Sequence, residues 1–453
     1  MKINVNKTIY LSISGVLINI IFFSSVVSAG LVYRQITDNT SGDAYAEINN
    51  NGHIVWKNTN GIYFYDGFVV NKIEGTTSID TQPHLNDHSQ IVWTAVSGIS
   101  NSAEIYFYNG ETIVQLTNNS YTDRNPEINN NGEIIWEGRT SDQNILDIYL
   151  YTNTSIKLID DHPWSCQNPN INNLGHAVWW DSASDSHIEI FNGETVTRLE
   201  NSIPIERHPS INDFGQLVWE SYDGTDYEIY FFDGNITRRL TNNNYNDLLP
   251  DINDLGEIVW ERYDDTGSDY EIMFYDGTET FQLTNNIYND RRPKINNLGQ
   301  IVWDGDDGSD HEIYLAEPDT DNDGIIDEKD NCPDTYNPNQ EDLDEDGTGD
   351  ICDDDADNDG FNFNDDCNDL DPTINPAVCD IKSDGIDQDC KGGDRRKGKP
   401  CPPDDGGGED PPTEEPTNVE GIGQTCSDGF DNDDDGLIDC ADSGCAKKKH
   451  CKL

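Results

Sequence analysis

The sequence predicts an all-β chain: a seven-bladed β-propeller closed by an N-terminal strand, followed by an irregular tail of different composition. Three observations predict it. The phrase "DINDLGEIVWE" (251–261) returns with small changes along roughly the first two thirds of the 453 residues. Those repeats carry strand and turn signals with no helical periodicity. Beyond residue 317 the apolar residues thin out, Asp, Asn, Gly and Pro dominate, and all but one of the 11 cysteines appear.

Residues 1–29 read as a targeting segment that precedes the repeats. Lys2 and Lys7 supply positive charge, "IYLSISGVLINIIFF" is apolar, and Val27-Ser28-Ala29 offers a small-residue cleavage site. The mature chain is expected to be secreted or held at the cell surface, with the periplasm as the alternative. An uncleaved anchor fits less well, because the apolar run is short and broken by Ser, and no later stretch is apolar enough to span a bilayer. The formal net charge is −61, from 88 acidic and 27 basic residues. Such a chain repels nucleic acid and anionic membranes and attracts cations.

Each repeat ends its phrase on a tryptophan: Trp56, Trp93, Trp136, Trp179, Trp219, Trp260 and Trp303, spaced 37 to 43 residues apart. Within a period an Ile-Asn pair after Pro is read as starting a short strand. "Asn-x-x-Gly" then turns the chain, an apolar run reaches the Trp, and "EIYFYDG" and "xxLT" complete four strands. In "Glu-Ile-Val-Trp", Ile258 and Trp260 point to one face of a strand and Val259 to the other, so both faces must be covered. Inner strands of stacked propeller blades meet that condition. Gly52, Gly132, Gly175, Gly215, Gly256 and Gly299 fit a turn that needs positive φ. The second copy has Ser89 there, which predicts a different turn.

Ring closure is also written in the chain. The seventh unit stops after "HEIYLAEPD" without a last strand, whereas "LVYRQITDNTSGD" precedes the first unit. Gln35-Ile36-Thr37 aligns with Gln282-Leu283-Thr284, and Asp43 with Asp290. Pairing 31–37 with the edge left by 312–315 would remove two exposed strand edges. The stretch "LTNNNYNDLLPDINDLGEIVWERYDDTGSDYEIMFYDG", with Asp247 and Pro250 in a D-x-x-P signature, resembles TolB-type propeller repeats over residues 30–317. That resemblance implies seven blades and a protein-binding or scaffold role. No stretch ahead of the first repeat reads as the extra N-terminal α/β domain of TolB itself, so a Tol-system role is not expected, and fold is a weak guide to function.

Asp43, Asp80, Asp123, Glu206, Asp247 and Asp290 share one repeat position, with Cys166 in the fourth place. Two readings stand: each accepts backbone hydrogen bonds in the turn leading to the inner strand, or together they ring a channel mouth and bind a cation. His53 and His176 sit beside turns, and His84, His162, His187, His208 and His311 scatter over other repeat positions. No H-E-x-x-H, G-x-S-x-G elbow or hydrolase domain is present, so no catalytic residues are assigned and an enzyme is not expected. A lyase or glycosidase assembled from several blades is the alternative.

The tail places its acids on a schedule. "DTDNDGIIDEKD" puts Asp319, Asp321, Asp323, Asp327 and Asp330 at positions 1, 3, 5, 9 and 12, with Gly324 at 6 and the Ile325 carbonyl at 7. Hard oxygen donors at that spacing, bent by a glycine, match Ca2+. "DLDEDGTGDICD" repeats it with Asp342, Asp344, Asp346, Thr348, Asp350 and Asp353. "DNDDDGLIDCAD" repeats it with Asp431, Asp433, Asp435, Leu437, Asp439 and Asp442. A weaker copy offers Asp355, Asp357, Asp359, Phe361 and Asp366, with Phe363 at position 9. Pro and Asn in "NCPDTYNPNQ" leave no room for EF-hand helices.

Residues 318–353 resemble thrombospondin type 3 repeats, and 354–401 resemble the acidic Cys-containing repeats of MopE-type surface proteins. These resemblances imply calcium, disulfides and an extracellular setting. With so little apolar surface, metal and disulfides would have to supply the order of a calcium- and disulfide-stabilised tail. Cys332–Cys352 is the bridge expected there; the other pairings stay open, and Cys166 is expected to be a free, buried thiol. A Pro- and acid-rich linker covers 402–420, and 421–453 holds the last loop. The expectation for the whole is an exported calcium-binding propeller without catalysis that binds a protein or surface glycan. A periplasmic TolB-like scaffold is the further alternative.

Overall fold

The computed structural model describes residues 30–76, 82–96, 102–139, 145–160, 163–183, 186–199, 206–263, 269–379, 381 and 384–392. The targeting segment, the 402–420 linker, Asp80 and the loop from Asp431 to Asp442 lie outside them. The chain divides into two compact units. The first holds the described residues through Asp342 together with Gly347–Cys352; the second holds Leu343–Asp346 and the described residues from Asp353 onward.

Every regular element among the described residues is a strand, and the strands form seven four-stranded antiparallel sheets. In the sixth, Asp247–Ile252, Ile258–Tyr263, Tyr270–Tyr275 and Thr280–Gln282 follow one another in both sequence and space. The seventh is completed from the other end of the chain. Leu31–Gln35 lies antiparallel to His311–Pro318, with Leu31 opposite Pro318 and Gln35 opposite Tyr314. The closure read from the offset repeats is therefore present, and it leaves no blade with an unfilled fourth place.

The two-sided apolar strands do what their pattern requires. Val259 packs with Ile272, Ile295 and Trp303 between the sixth and seventh blades, while Ile258 and Trp260 pack with Val218, Ile229 and Phe231 against the fifth. The last interface joins the seventh blade to the first, where Val302, Ile313 and Leu315 meet Ile48, Ile54 and Trp56. In five blades the Trp also stacks on the Tyr opposite it, as Trp56 does on Tyr63 with ring centroids 6.0 Å apart. Trp260 faces Met273 and Trp179 faces Glu189, so those two blades lack the stack.

Two local expectations are corrected. The Ile-Asn pair does not start the innermost strand: that strand begins at the Asp or its equivalent, as in Asp247–Ile252, and ends on the Ile. The reason is a bulge inside D-x-x-P, where pairing with the next strand slips between Leu248 and Asp251. Nor does the Ser89 turn differ. Ser89 takes φ 56°, close to Gly52 at 70°, and its N–H donates to the Asn86 carbonyl as Gly52 does to Asn49.

The asparagine after each Ile explains the rest of the repeated phrase. Oδ1 of Asn49 accepts the N–H groups of Asn51 (3.0 Å) and His53 (2.9 Å), fixing the turn. Its amide donates across to the Asn86 carbonyl of the next blade at 2.9 Å. Asn86, Asn129, Asn172, Asn212 and Asn253 each do the same to the following blade, and Asn296 returns to the Asn49 carbonyl at 2.8 Å. A second circle lies beside it: Asn50, Asp87, Asn130, Asn173, Asp213, Asp254 and Asn297 each donate a backbone N–H to the next member's side-chain oxygen. Two closed circles of hydrogen bonds thus line one mouth of the channel.

Candidate functional site

Among the described residues the acidic repeat position does not ring the channel. Asp43, Asp123, Asp247 and Asp290 are buried inside their blades and accept the indole N–H of Trp56, Trp136, Trp260 and Trp303 at 3.0, 3.3, 2.8 and 3.0 Å. Their other oxygens accept an amide from Asn39, Asn119, Asn243 and Asn286. Burial holds Asp247 and Asp290 at a pKa of about 6, well above the usual carboxylate range. Glu206 departs from the pattern. Its longer side chain reaches back to the Ile188 N–H at 3.0 Å, and the buried Trp219 indole N–H has no acceptor. Cys166 is buried and free, and its thiol donates to Asp160, which also takes the Trp179 indole N–H. The bulge is what turned these groups away from the axis. Hydrogen bonding wins over the mouth reading, although the donors are side chains rather than backbone.

The residues that do meet on the axis precede the Ile, or Leu85 in the second blade: Glu47, His84, Glu127, Asn170, Ser210, Asp251 and Lys294. His84 Nδ1 lies 3.0 Å from Glu127 and 3.4 Å from Glu47; Lys294 Nζ lies 3.4 Å from Glu47 and 3.6 Å from Asp251. Burial disfavours the charge on His84, but Glu127 and Glu47 outweigh it and raise the imidazole to about 9. Burial likewise opposes the Lys294 charge, and Asp251 and Glu47 more than offset it. Sequence reasoning missed this set. Its only signal was one repeat position whose chemistry changes in almost every copy of an otherwise uniform phrase.

Two cavities open from this waist. The wider, about 400 Å3, lies at the N-terminal ends of the innermost strands. Its wall includes Tyr45, Pro169, Pro209, Leu249, Pro250 and Pro293, and its floor is the waist. Tyr45, Asn125, Asn168, His208, Leu249 and Arg292 line it from left-handed backbone, φ between 46° and 60°. Such geometry costs on the order of 1–3 kcal/mol per residue and persists only where neighbours enforce it. Here buried acids following the repeat tryptophans enforce it: Asp304, Glu137, Glu220 and Glu261 accept the N–H of Tyr45, Asn168, Leu249 and Arg292. Arg292 pairs with Asp304 and stacks over the Tyr45 ring at 4.2 Å. The smaller cavity, about 170 Å3, opens at the asparagine circles and is lined by Glu47, Asp87, Glu127, Asp213, Asp251 and Asp254 among polar amides.

The acidic loops adopt one backbone. Position 4 is left-handed at Asn322, Glu345 and Asn358, and position 6 at Gly324, Gly347 and Gly360. The position 6 N–H donates to the first Asp in all three, Asp319, Asp342 and Asp355. In the first loop, oxygens of Asp319, Asp321 and Asp323 lie within 4.8 Å of one another. Oδ2 of Asp321 and of Asp330 is buried without a hydrogen-bond donor, and so is Oδ2 of Asp357 and of Asp366. Burial and crowding among like charges push Asp319, Asp321 and Asp357 above the usual range. Converging, donor-poor carboxylates are a set that fits a hard cation. Asp327 is occupied otherwise, accepting the Thr320 N–H and hydroxyl at 2.7 Å each. The loop from Asp342 to Asp353 is divided between the two units, with Asp342 and Asp350 in one and Asp344, Asp346 and Asp353 in the other. Cys332–Cys352 is bonded as expected, and Cys367–Cys390 forms a second bridge that the sequence left open.

Strand order and site together define a closed seven-bladed β-propeller with an axial channel and a disulfide-bonded tail. No family model and no curated protein matches the chain. Solved structures do resemble it. The propeller domain of the trilobed protease from Pyrococcus furiosus is 9% identical with a TM-score of 0.49, covering 62% of this chain and 94% of that one. Virginiamycin B lyase from Staphylococcus aureus is 9% identical with a TM-score of 0.47, covering 63% and 98%. The putative TolB from Agrobacterium tumefaciens is 16% identical with a TM-score of 0.36, covering 45% and 80%. At these values the likeness concerns fold alone. The expectation of a chain without catalysis is corrected to this extent: the solved structures that resemble its propeller include a protease domain and a lyase. Among the described residues no helix is long and apolar enough to cross a membrane.

Proposed function

We propose that the chain is an exported binding propeller with a calcium-ordered tail, and that the wide cavity takes a ligand outside the cell, a surface glycan ahead of a protein segment. The observation that carries this is the cavity itself: a proline, leucine and tyrosine wall above a floor of Asn, Ser, Asp, His and Lys. A sugar ring offers the same division, an apolar face and a hydroxyl edge, and strained residues of six blades hold the wall in place. Calcium at the loops is supported by their repeated backbone and by carboxylate oxygens that lack donors. Extracellular modules of this type bind at about 10⁻⁴ to 10⁻³ M.

The test is the full chain on a glycan array at millimolar calcium, followed by Lys294→Met. Saturable binding lost in the variant supports the reading; no glycan bound, with a short-peptide array bound instead, moves the ligand to protein. A second reading is catalysis in the same cavity, favoured by a charged His84 set between two carboxylates in its floor. New reducing ends released from a bound glycan, and lost in His84→Gln while binding persists, would select it.

A further inference from the structure

The other mouth of the channel carries a feature that folding does not require. The third residue of the Asn-x-x-Gly turn is Leu174, Phe214, Leu255 and Leu298 in four consecutive blades, exposed by 63, 74, 67 and 49%. Two sister blades put Asn at the same place and use it: Asn51 donates to the Asp87 carbonyl at 2.6 Å and Asn131 to the Asn173 carbonyl at 2.8 Å. Four blades thus forgo a bond between neighbours for a large apolar side chain that stays in solvent. The result is an apolar arc over about half of the rim. Inside that rim lies the small cavity: Glu47, Glu127 and Asp251 at its depth are already paired with His84 and Lys294, while Asp87, Asp213 and Asp254 nearer the rim have no Lys, Arg or His beside them among the described residues lining it.

We propose that this mouth docks a partner protein through a short basic segment, one Lys or Arg entering the cavity while flanking apolar side chains rest on the arc. The chemistry selects the occupant. Exposed apolar patches beside a polar well mark interaction surfaces, and a well ringed by carboxylates takes a cation. A second copy is disfavoured, since the formal charge of −61 would set like against like. An anionic lipid surface is disfavoured for the same reason. This mouth lies at the opposite ends of the innermost strands from the wide cavity, so the proposal stands whether or not that cavity binds a glycan.

The repeat supplies its own controls, because every substitution needed is already carried by a sister blade. Random dodecapeptides displayed on phage are selected on the full chain in millimolar calcium, and a selected peptide is then synthesised and titrated. The expected result is enrichment of Lys or Arg flanked by large apolar residues. Affinity should fall about tenfold or more in Phe214→Asn with Leu255→Asn, in keeping with an apolar anchor at an interface centre. It should fall also in Asp213→Asn with Asp254→Asn, with loss of the salt dependence seen in the parent. Unchanged thermal melts for both variants show that folding is not the cause. No enrichment, acidic selections, or peptides that bind both variants like the parent would overturn the proposal. So would self-association or vesicle binding that the apolar variant abolishes, which would assign the arc to a second copy or a membrane.

Discussion

The propeller and the tail are both built by repetition, yet they keep order by different means. In the propeller each copied phrase brings its own partners: a tryptophan for the neighbouring blade, an asparagine for the next turn, an aspartate for the indole. In the tail each copied phrase brings the same turn and more negative charge, with few basic groups of its own to offset it. Cys332–Cys352 and Cys367–Cys390 shorten the loops but leave carboxylates such as Asp321 and Asp357 crowded against their own kind. Repetition stabilises when the repeated groups are complementary to each other. When they are alike, it crowds like charges together.

The largest effect expected from that contrast is chelation of the full chain. Removing calcium with EDTA should abolish amide protection across residues 319–392 and leave the propeller strands protected, read by hydrogen exchange. Equal protection with and without calcium would break the comparison. Next is Trp260→Ala, which empties a fully buried site between two blades and should cost about 3–5 kcal/mol in urea unfolding, with the effect of EDTA on the tail unchanged. Asn253→Ala removes one link of the amide circle and leaves turn N–H groups without an acceptor, an effect of about 1–3 kcal/mol by the same measurement.

The smallest concerns pH. Asp247 and Asp290 hold protons to about pH 6 in the fold, against about 4 in the unfolded chain. Their contribution is therefore fully present below about pH 4 and is lost as pH rises through 6. Asp247→Asn with Asp290→Asn should flatten the decline in unfolding free energy between pH 4.5 and 7. An unchanged slope would place the pH dependence elsewhere.

Blade number and ring closure were legible because they depend on counting and offset alone. The seven tryptophans and the match of Gln35-Ile36-Thr37 to Gln282-Leu283-Thr284 survive any local misreading. Orientation was less legible. The bulge at D-x-x-P reverses the sense in which alternation is read, so Asp247 was given two destinations and took the indole of Trp260 rather than the channel. The waist was illegible for a further reason. Glu47 and Lys294 are 3.4 Å apart although nearly the whole propeller separates them in sequence, and neither belongs to a motif. The loops were legible in spacing, while the disulfide Cys367–Cys390 required the fold of the second unit.

The strand Leu31–Gln35 has its only sheet neighbour in His311–Pro318, the last strand of the propeller to be made. During synthesis the earliest blade partner must wait unpaired while some 280 residues follow it. The circle therefore locks in a single late event, and a chain stopped short of Pro318 retains two raw edges that invite pairing with another copy.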